Sequence, residues 1–229
     1  MPRTFPVRRL PDVLLPAAVL AFSVLMITKV IPYLSFARGI GFLSTKTDPV
    51  LDNPWFLTAF YVHITSSLWV MVSGALQFVP LLPARFPGLH RQLGKLYVGS
   101  ILLLAAPSGL VLAFFANGGL PAKVGFVVQC LVWWLTTYAA FREATRRQWL
   151  PHVEWMMRSL AVTLAAMSLR LESYALYYWL HTKPIETYLT VTWLSWTGNL
   201  LLTEILIRAG VAKSLLPKFY RSTKTPSVV

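Results

Sequence analysis

Long apolar runs separated by short polar segments make up most of the chain. The hydrocarbon core of a bilayer is about 30 Å thick and needs about 20 apolar residues per helix. Runs of this length lie at approximately 13–33, 54–81, 93–116, 120–141, 152–180 and 188–209. No strand-like alternation of the barrel type competes with them. The pattern predicts an all-α, polytopic transmembrane helical bundle with about six spans.

The composition agrees with that prediction. Hydrophobic residues make up 56% of the 229 residues and charged residues only 13%, whereas soluble domains have about 45–50% and about 25%. The mean hydropathy is +0.59. We expect residues 1–216 to form a single transmembrane bundle. Residues 217–229 are basic and polar, and we expect them to be a disordered cytoplasmic tail.

The charge pattern predicts the orientation. The chain has 21 Lys and Arg against 8 Asp and Glu, a net charge of +13. Most of the basic residues lie in the segments that share a side with the N-terminus, so the positive-inside rule places both termini in the cytoplasm. Because the basic clusters follow the topology, we expect membrane lipids rather than nucleic acid as partners. The expected location is a cell membrane, of the bacterial inner-membrane type.

A polar stripe runs down the second span. His63, Ser67, Gly74 and Gln77 fall within an arc of about 80° on one helix face. Small residues permit helices to approach closely and polar residues hydrogen-bond between helices, so the stripe is one of two things. It is either a packing seam or a face that holds a ligand or cofactor.

Charged residues inside the fifth and sixth spans need partners, because ionisable groups are costly in a bilayer. Arg170 lies in the outer half of the fifth span, where His63 could meet it. Glu172 could pair with Lys183 or the outer loop. Glu204, in the inner half of the sixth span, could pair with Arg158. His63, Ser67, Gln77, Arg170 and Glu172 are the candidates for a polar intramembrane site.

Two histidines begin the third and fifth spans on the same side of the membrane. His90 and His152 are therefore expected at similar depth on different helices, where two neutral imidazoles could ligate one haem iron or another metal. In the alternative, each histidine bonds only to carbonyls or lipid headgroups. Around the two histidines, the candidate cofactor-binding residues are Arg91 and Arg158, which could neutralise acidic groups, and Tyr97 and Trp155, which could line the pocket.

These residues carry a resemblance to a known family. The series His63…Gln77, His90-Arg91-x-x-Gly94-x-x-Tyr97, Gly125-Phe126, His152-x-x-Trp155-Met156-x-Arg158 and Arg170 is similar to that of the membrane proteins grouped as domain of unknown function 2306. The likeness extends from about residue 46 to residue 172. It implies a polytopic membrane protein of the bacterial type and little chemistry. In places the chain also resembles four-helix b-type cytochromes, although His63 has no intramembrane histidine partner for a second haem.

Three functions stay open at this point. The first is a small redox protein with haem b or another metal at His90 and His152. The second is a small transporter, or a protein that binds a lipid or quinone without redox chemistry. The third is a membrane assembly factor. The chain contains no HExxH metal motif, nucleotide-binding glycine loop or GxSxG elbow.

Overall fold

The computed structural model of the protein describes residues 10–79 and 81–220, and helix is the only regular secondary structure in these two ranges. The helices are α1 (Leu10–Val30), α2 (Asp48–Leu51), α3 (Pro54–Gln77), α4 (Leu81–Arg85), α5 (Pro87–Ser100), α6 (Ala106–Phe114), α7 (Gly119–Thr145), α8 (Trp149–Thr163), α9 (Ala165–Leu180), α10 (Pro184–Arg208) and α11 (Val211–Tyr220). The predicted all-α membrane bundle is confirmed.

Three helical segments among the described residues are long and apolar enough to cross a membrane. They are Pro54–Gln77, Pro87–Phe114 and Gly119–Thr145. The remaining predicted runs correspond to α1, to α8 followed by α9, and to α10. Six crossings and cytoplasmic termini stay predictions. Helix α11 extends four residues into the predicted tail, and residues 221–229 lie outside the described ranges.

The third span is one helix with a π-helical turn in it. The π turn, Ile101–Ala105, joins α5 to α6. Along a regular α-helix, Gly109 would face about 120° away from Tyr97. The i→i+5 bonding of a π turn takes up one additional residue, about 100°. Both Tyr97 and Gly109 therefore face α3, where they contact Gly74 and His63 respectively.

Pro107 explains why the π turn needs outside support. In π register, Leu102 would accept a hydrogen bond from the nitrogen five residues later, and that nitrogen belongs to Pro107, which has no N–H. The indole of Trp134 on α7 donates to the Leu102 carbonyl instead, at 3.2 Å. The π turn is thus held by a neighbouring helix.

The fifth predicted run is interrupted once. Helix α8 ends at Thr163 and α9 begins at Ala165. Asn199 of α10 spans this break, because its Nδ2 donates to the Ala161 carbonyl at 3.0 Å and its Oδ1 accepts from Ser168 at 2.9 Å. One amide side chain therefore connects both sides of the interruption.

The connection between α1 and α3 is folded against the end of α6. Lys46 donates from Nζ to the Phe115 carbonyl at 2.7 Å and to Asn117 Oδ1 at 2.9 Å. An ammonium at a helix C-terminus satisfies carbonyls that have no partner within the helix. Burial, and to a smaller extent the charge of Lys123, lowers the pKa of the Lys46 ammonium. We refer to this end of the bundle as the loop end.

The opposite end, where α5 and α8 begin, is referred to as the histidine end. Helix α11 packs there on α8 through a small apolar cluster that includes Val153, Met157 and Ala212. Between the two ends, the main core brings together residues of α3, α5, α7 and α8, among them Val70, Tyr97, Ala140 and Met156. The histidine end is thus covered by a helix beyond the last predicted span.

Candidate functional site

His90 and His152 lie at equivalent positions of two helices. Each is in the first turn of its helix, and each backbone N–H makes the first bond of that turn, to Phe86 and Gln148 respectively. Seven residues further on, Tyr97 and Ser159 share a hydrogen bond of 2.9 Å. That bond fixes the register of α5 against α8, so the two histidines occupy the same level, two turns nearer the histidine end.

The ring of His152 is oriented by one backbone carbonyl. Its Nδ1 lies 2.8 Å from the Ala140 carbonyl oxygen on α7. A carbonyl can only accept, so Nδ1 carries the hydrogen and Nε2 presents a lone pair. A bond of this kind is expected whether His152 ligates a metal or bonds only to carbonyls and lipid headgroups. The two alternatives differ in what the Nε2 atom binds.

His90 contributes a second imidazole with an unused nitrogen. Its Nδ1 is buried and has no hydrogen-bond partner among the described residues. Its backbone carbonyl accepts from Gln77 Nε2 at 3.2 Å, which connects it to the end of α3. The Tyr97–Ser159 bond places His90 at the level of His152 on the neighbouring helix. The structure thus gathers His90, His152 and Gln77 at one end of the bundle.

Two turns deeper lies a buried network of hydroxyl groups. Tyr97 bonds to Ser159 and Thr163, Thr137 bonds to Ser159, and the Trp133 indole donates to Thr163. Thr137 and Thr163 also reach the backbone carbonyls of Trp133 and Ser159. The four hydroxyls and the indole supply five hydrogens for these six contacts. The hydrogens can therefore be arranged in more than one way.

The predicted pairing of Arg158 with Glu204 is confirmed. Arg158 donates from Nε and Nη2 to the two carboxylate oxygens, at 2.5 and 3.0 Å. Its guanidinium also lies 4.6 Å from the centre of the Trp155 ring. Arg158 therefore forms an ion pair with Glu204 between α8 and α10, and a cation–π contact with Trp155 of its own helix. Arg91, by contrast, is exposed.

The polar stripe on α3 faces the third span along its length. Gln77 contacts Gly94, Gly74 lies against the Tyr97 ring, and His63 lies beside Gly109. His63 Nδ1 is 2.9 Å from the Ala105 carbonyl at the end of the π turn. Gly74 and His63 thus serve as a packing seam, while Gln77 also reaches the histidine pair.

The remaining outer candidates are not assembled into one site. His63 and Arg170 have different partners, because Arg170 donates to the Ala166 carbonyl of its own helix at 2.6 Å. Glu172 makes no ion pair with Lys183, and its Oε2 is buried without a partner among the described residues. Ser67 Oγ is also buried, and it has no hydrogen-bond partner in the part of the chain that the structure describes. Depth along a helix predicted which residues share a level, but not which helices are neighbours.

The donor set at the histidine end is small. The described residues contain no group of three or more His, Cys, Asp or Glu side chains that could hold a metal ion. A structural zinc site uses four protein ligands and a catalytic one three. Two histidines can hold a b-type haem, but they would leave a bare zinc ion one or two protein ligands short.

With this geometry established, the chain can be compared with known proteins. The family model described as a predicted membrane protein, domain of unknown function 2306, matches residues 60–207. The chain belongs to this family. The matched segment runs from within α3 to near the end of α10 and includes the histidine pair, the hydroxyl network and the Arg158–Glu204 pair. Comparisons with curated proteins and with solved structures give no match.

Several residues around the histidine pair and the hydroxyl network could not be predicted from the sequence. Ser159, Thr163 and Thr137 have no distinguishing spacing, because serine and threonine are common in membrane helices. Trp133 and Trp134 lie inside the fourth apolar run, where nothing in the sequence indicates which group an indole N–H will meet. The one signal in the sequence was Pro107, since a proline inside an apolar run removes a backbone donor and calls for a substitute from a neighbouring helix.

Proposed function

We propose that the protein is a small redox protein of the membrane that holds haem b, or another metal-bearing group, between His90 and His152. The observation that supports this most is the His152 Nδ1 bond to the Ala140 carbonyl. Metal-ligating histidines commonly donate one ring N–H to a carbonyl, which fixes the tautomer and points the other nitrogen at the metal. The unpartnered Nδ1 of His90 supplies the second donor.

The donor set fits a haem better than a bare ion, because a haem brings further ligands of its own, whereas two histidines alone do not complete the ligand set of a bare ion. Because Arg158 is already paired with Glu204, Arg91 is the basic residue that would face an acidic group of the ligand. Haem, when bound, supplies one-electron redox chemistry. The chain would provide the ring nitrogens of His90 and His152 that hold the group.

A second candidate, transport or ligand binding without redox chemistry, is favoured by a different observation. The hydroxyl network lies directly beyond the histidine pair, and its hydrogens admit more than one arrangement. Polar groups in a membrane interior are costly and often mark a path for protons or solutes. In this case the histidines and Tyr97 would contact a proton or a small polar molecule in turn.

Absorption spectroscopy of protein purified in detergent tests the first proposal. The wild type should show a Soret band that changes on reduction, with iron present by elemental analysis. His152→Asn is the decisive variant, because the asparagine amide can still donate to Ala140 while the Nε2 lone pair is lost. We expect His152→Asn and His90→Asn each to remove the band. His181→Asn, in the exposed turn before α10, should keep it.

The alternatives give different outcomes. A wild type without any Soret band or metal would refute the redox proposal. If the wild type then carried protons across liposome membranes, and the folded His152→Asn protein did not, the second candidate would be supported. Loss of folded protein in all variants except His181→Asn would indicate that the histidines serve packing alone.

A further inference from the structure

A second polar position lies in the other half of the bundle, between α7 and α10. Both helices begin at the loop end, where Gly118 contacts Tyr188 and Leu189. One level deeper, Gly125 is so close to Thr192 that an added Cβ would lie 2.6 Å from the threonine methyl. These contacts make α7 and α10 parallel neighbours with a defined register.

Gln129 and Ser195 follow one turn below that contact. Four residues after Gly125 and three residues after Thr192, they fall near the same helix faces and at the same level. Ser195 is fully buried, with 0% of its surface exposed. Its Oγ and the Oε1 of Gln129 are both buried without a hydrogen-bond partner among the described residues.

The conformation of Ser195 differs from that of its neighbours. Serine and threonine in a helix commonly donate to the carbonyl of the preceding turn. Thr192 and Thr197 do so on this same helix, each at 2.7 Å. Ser168 makes no such bond, because it donates to Asn199 on another helix. Ser195 does not donate to the preceding turn either, and no side chain in the described part of the chain accepts a hydrogen bond from it.

We infer that a buried water molecule bridges Gln129 and Ser195. Buried polar groups in proteins are almost always satisfied, by protein or by ordered water. A water molecule donates to the amide oxygen and either donates to or accepts from the hydroxyl, which meets the two to four partners that a buried water needs. A larger guest is disfavoured by the tight contact between Gly125 and Thr192 one turn above.

A thermal double-mutant cycle tests this inference. Ser195→Ala and Gln129→Met each remove one partner of the water and strand the other, so each should lower the melting temperature by about 2–4 °C. The double variant should lose less than the sum, because the water and both polar groups leave together. The matched control cycle combines Gln129→Met with Thr192→Val, whose hydroxyl bonds within its own helix, and should be additive.

Two outcomes would overturn the inference. If Gln129→Met raises the melting temperature and both cycles are additive, the amide oxygen has no partner to lose. Radiolytic labelling of the wild type in heavy-oxygen water gives a check that needs no variant. We expect the Trp196 ring to acquire label from a slowly exchanging water, and absence of label there, with labelling of exposed tryptophans, would exclude one.

Discussion

Substituting Gly74 by alanine should destabilise the bundle, because the new methyl would overlap the Tyr97 ring. The added Cβ would lie 2.7 Å from Tyr97 Cε2 and 3.2 Å from Cδ2, whereas carbon atoms pack best at about 3.5–4.0 Å. The ring cannot move away cheaply. Tyr97 is fully buried, and its hydroxyl is bonded to Ser159 and Thr163 at 2.9 Å each.

The expected magnitude combines two opposing terms. Overpacking a core costs about 1–3 kcal/mol, and replacing a glycine by alanine inside a helix gains about 0.5–1 kcal/mol. Gly74→Ala should therefore lose about 1–2 kcal/mol, which lowers the melting temperature by about 2–8 °C for a chain of this size. Gly99→Ala is the matched control, because nothing lies within 4 Å of its added Cβ. Gly99→Ala should therefore show only the stabilisation of about 0.5–1 kcal/mol that alanine gives over glycine inside a helix.

Thiol labelling gives a direct assay. Cys130 is the single cysteine and is partly buried, so a maleimide dye that reacts on unfolding reports the melting temperature in detergent. Tyr97→Phe, added to Gly74→Ala, should recover part of the loss because the ring is then free to shift. If Gly74→Ala were as stable as Gly99→Ala, the Tyr97 ring would not be held tightly against position 74, and the predicted overlap would be refuted.

Three further predictions concern the polar contacts. Glu204→Gln should lower the melting temperature by the equivalent of about 1–2 kcal/mol, which is less than for a fully buried pair because Glu204 is 39% exposed. Arg158→Lys should also be destabilising, because a lysine cannot replace the two parallel donors of the guanidinium. Asn199→Leu should cost about 1–3 kcal/mol by leaving buried groups unpaired, measured in the same assay. Because the native pKa of Lys46 lies below its unfolded value, the native state releases this proton first, so stability should rise with pH through that range. The rise as the pH approaches the ordinary pKa of a lysine should be smaller in Lys46→Gln, and equal slopes would contradict the lowered pKa.

The sequence predicted what depends on length and depth along a helix. Long apolar runs located the helices to within a few residues, because a bilayer leaves few alternatives for such segments. Depth also placed Arg158 level with Glu204, and their ion pair followed. Depth does not determine which helices are adjacent, and His63 and Arg170, which were predicted to meet, have separate partners.

Local irregularities could not be predicted in the same way. The break at Leu164 has no proline or glycine beside it, and the Ala161 carbonyl near it accepts a hydrogen bond from Asn199 of another helix. The hydroxyl network depends on five side chains from three helices, and all of them except Tyr97 are unremarkable in the sequence. Such features arise from packing between segments that are distant in the sequence.

The π turn has a consequence for how the length of the third span can vary. A turn that takes up one additional residue is equivalent to an insertion. Deleting one residue within Ile101–Ala105 would leave a regular α-helix in which Tyr97 and Gly109 still share a face, about 20° apart. A deletion between His90 and Tyr97 would rotate the histidine by about 100° from the hydroxyl network. The span should therefore accept a shorter sequence at the π turn and nowhere between the two polar layers.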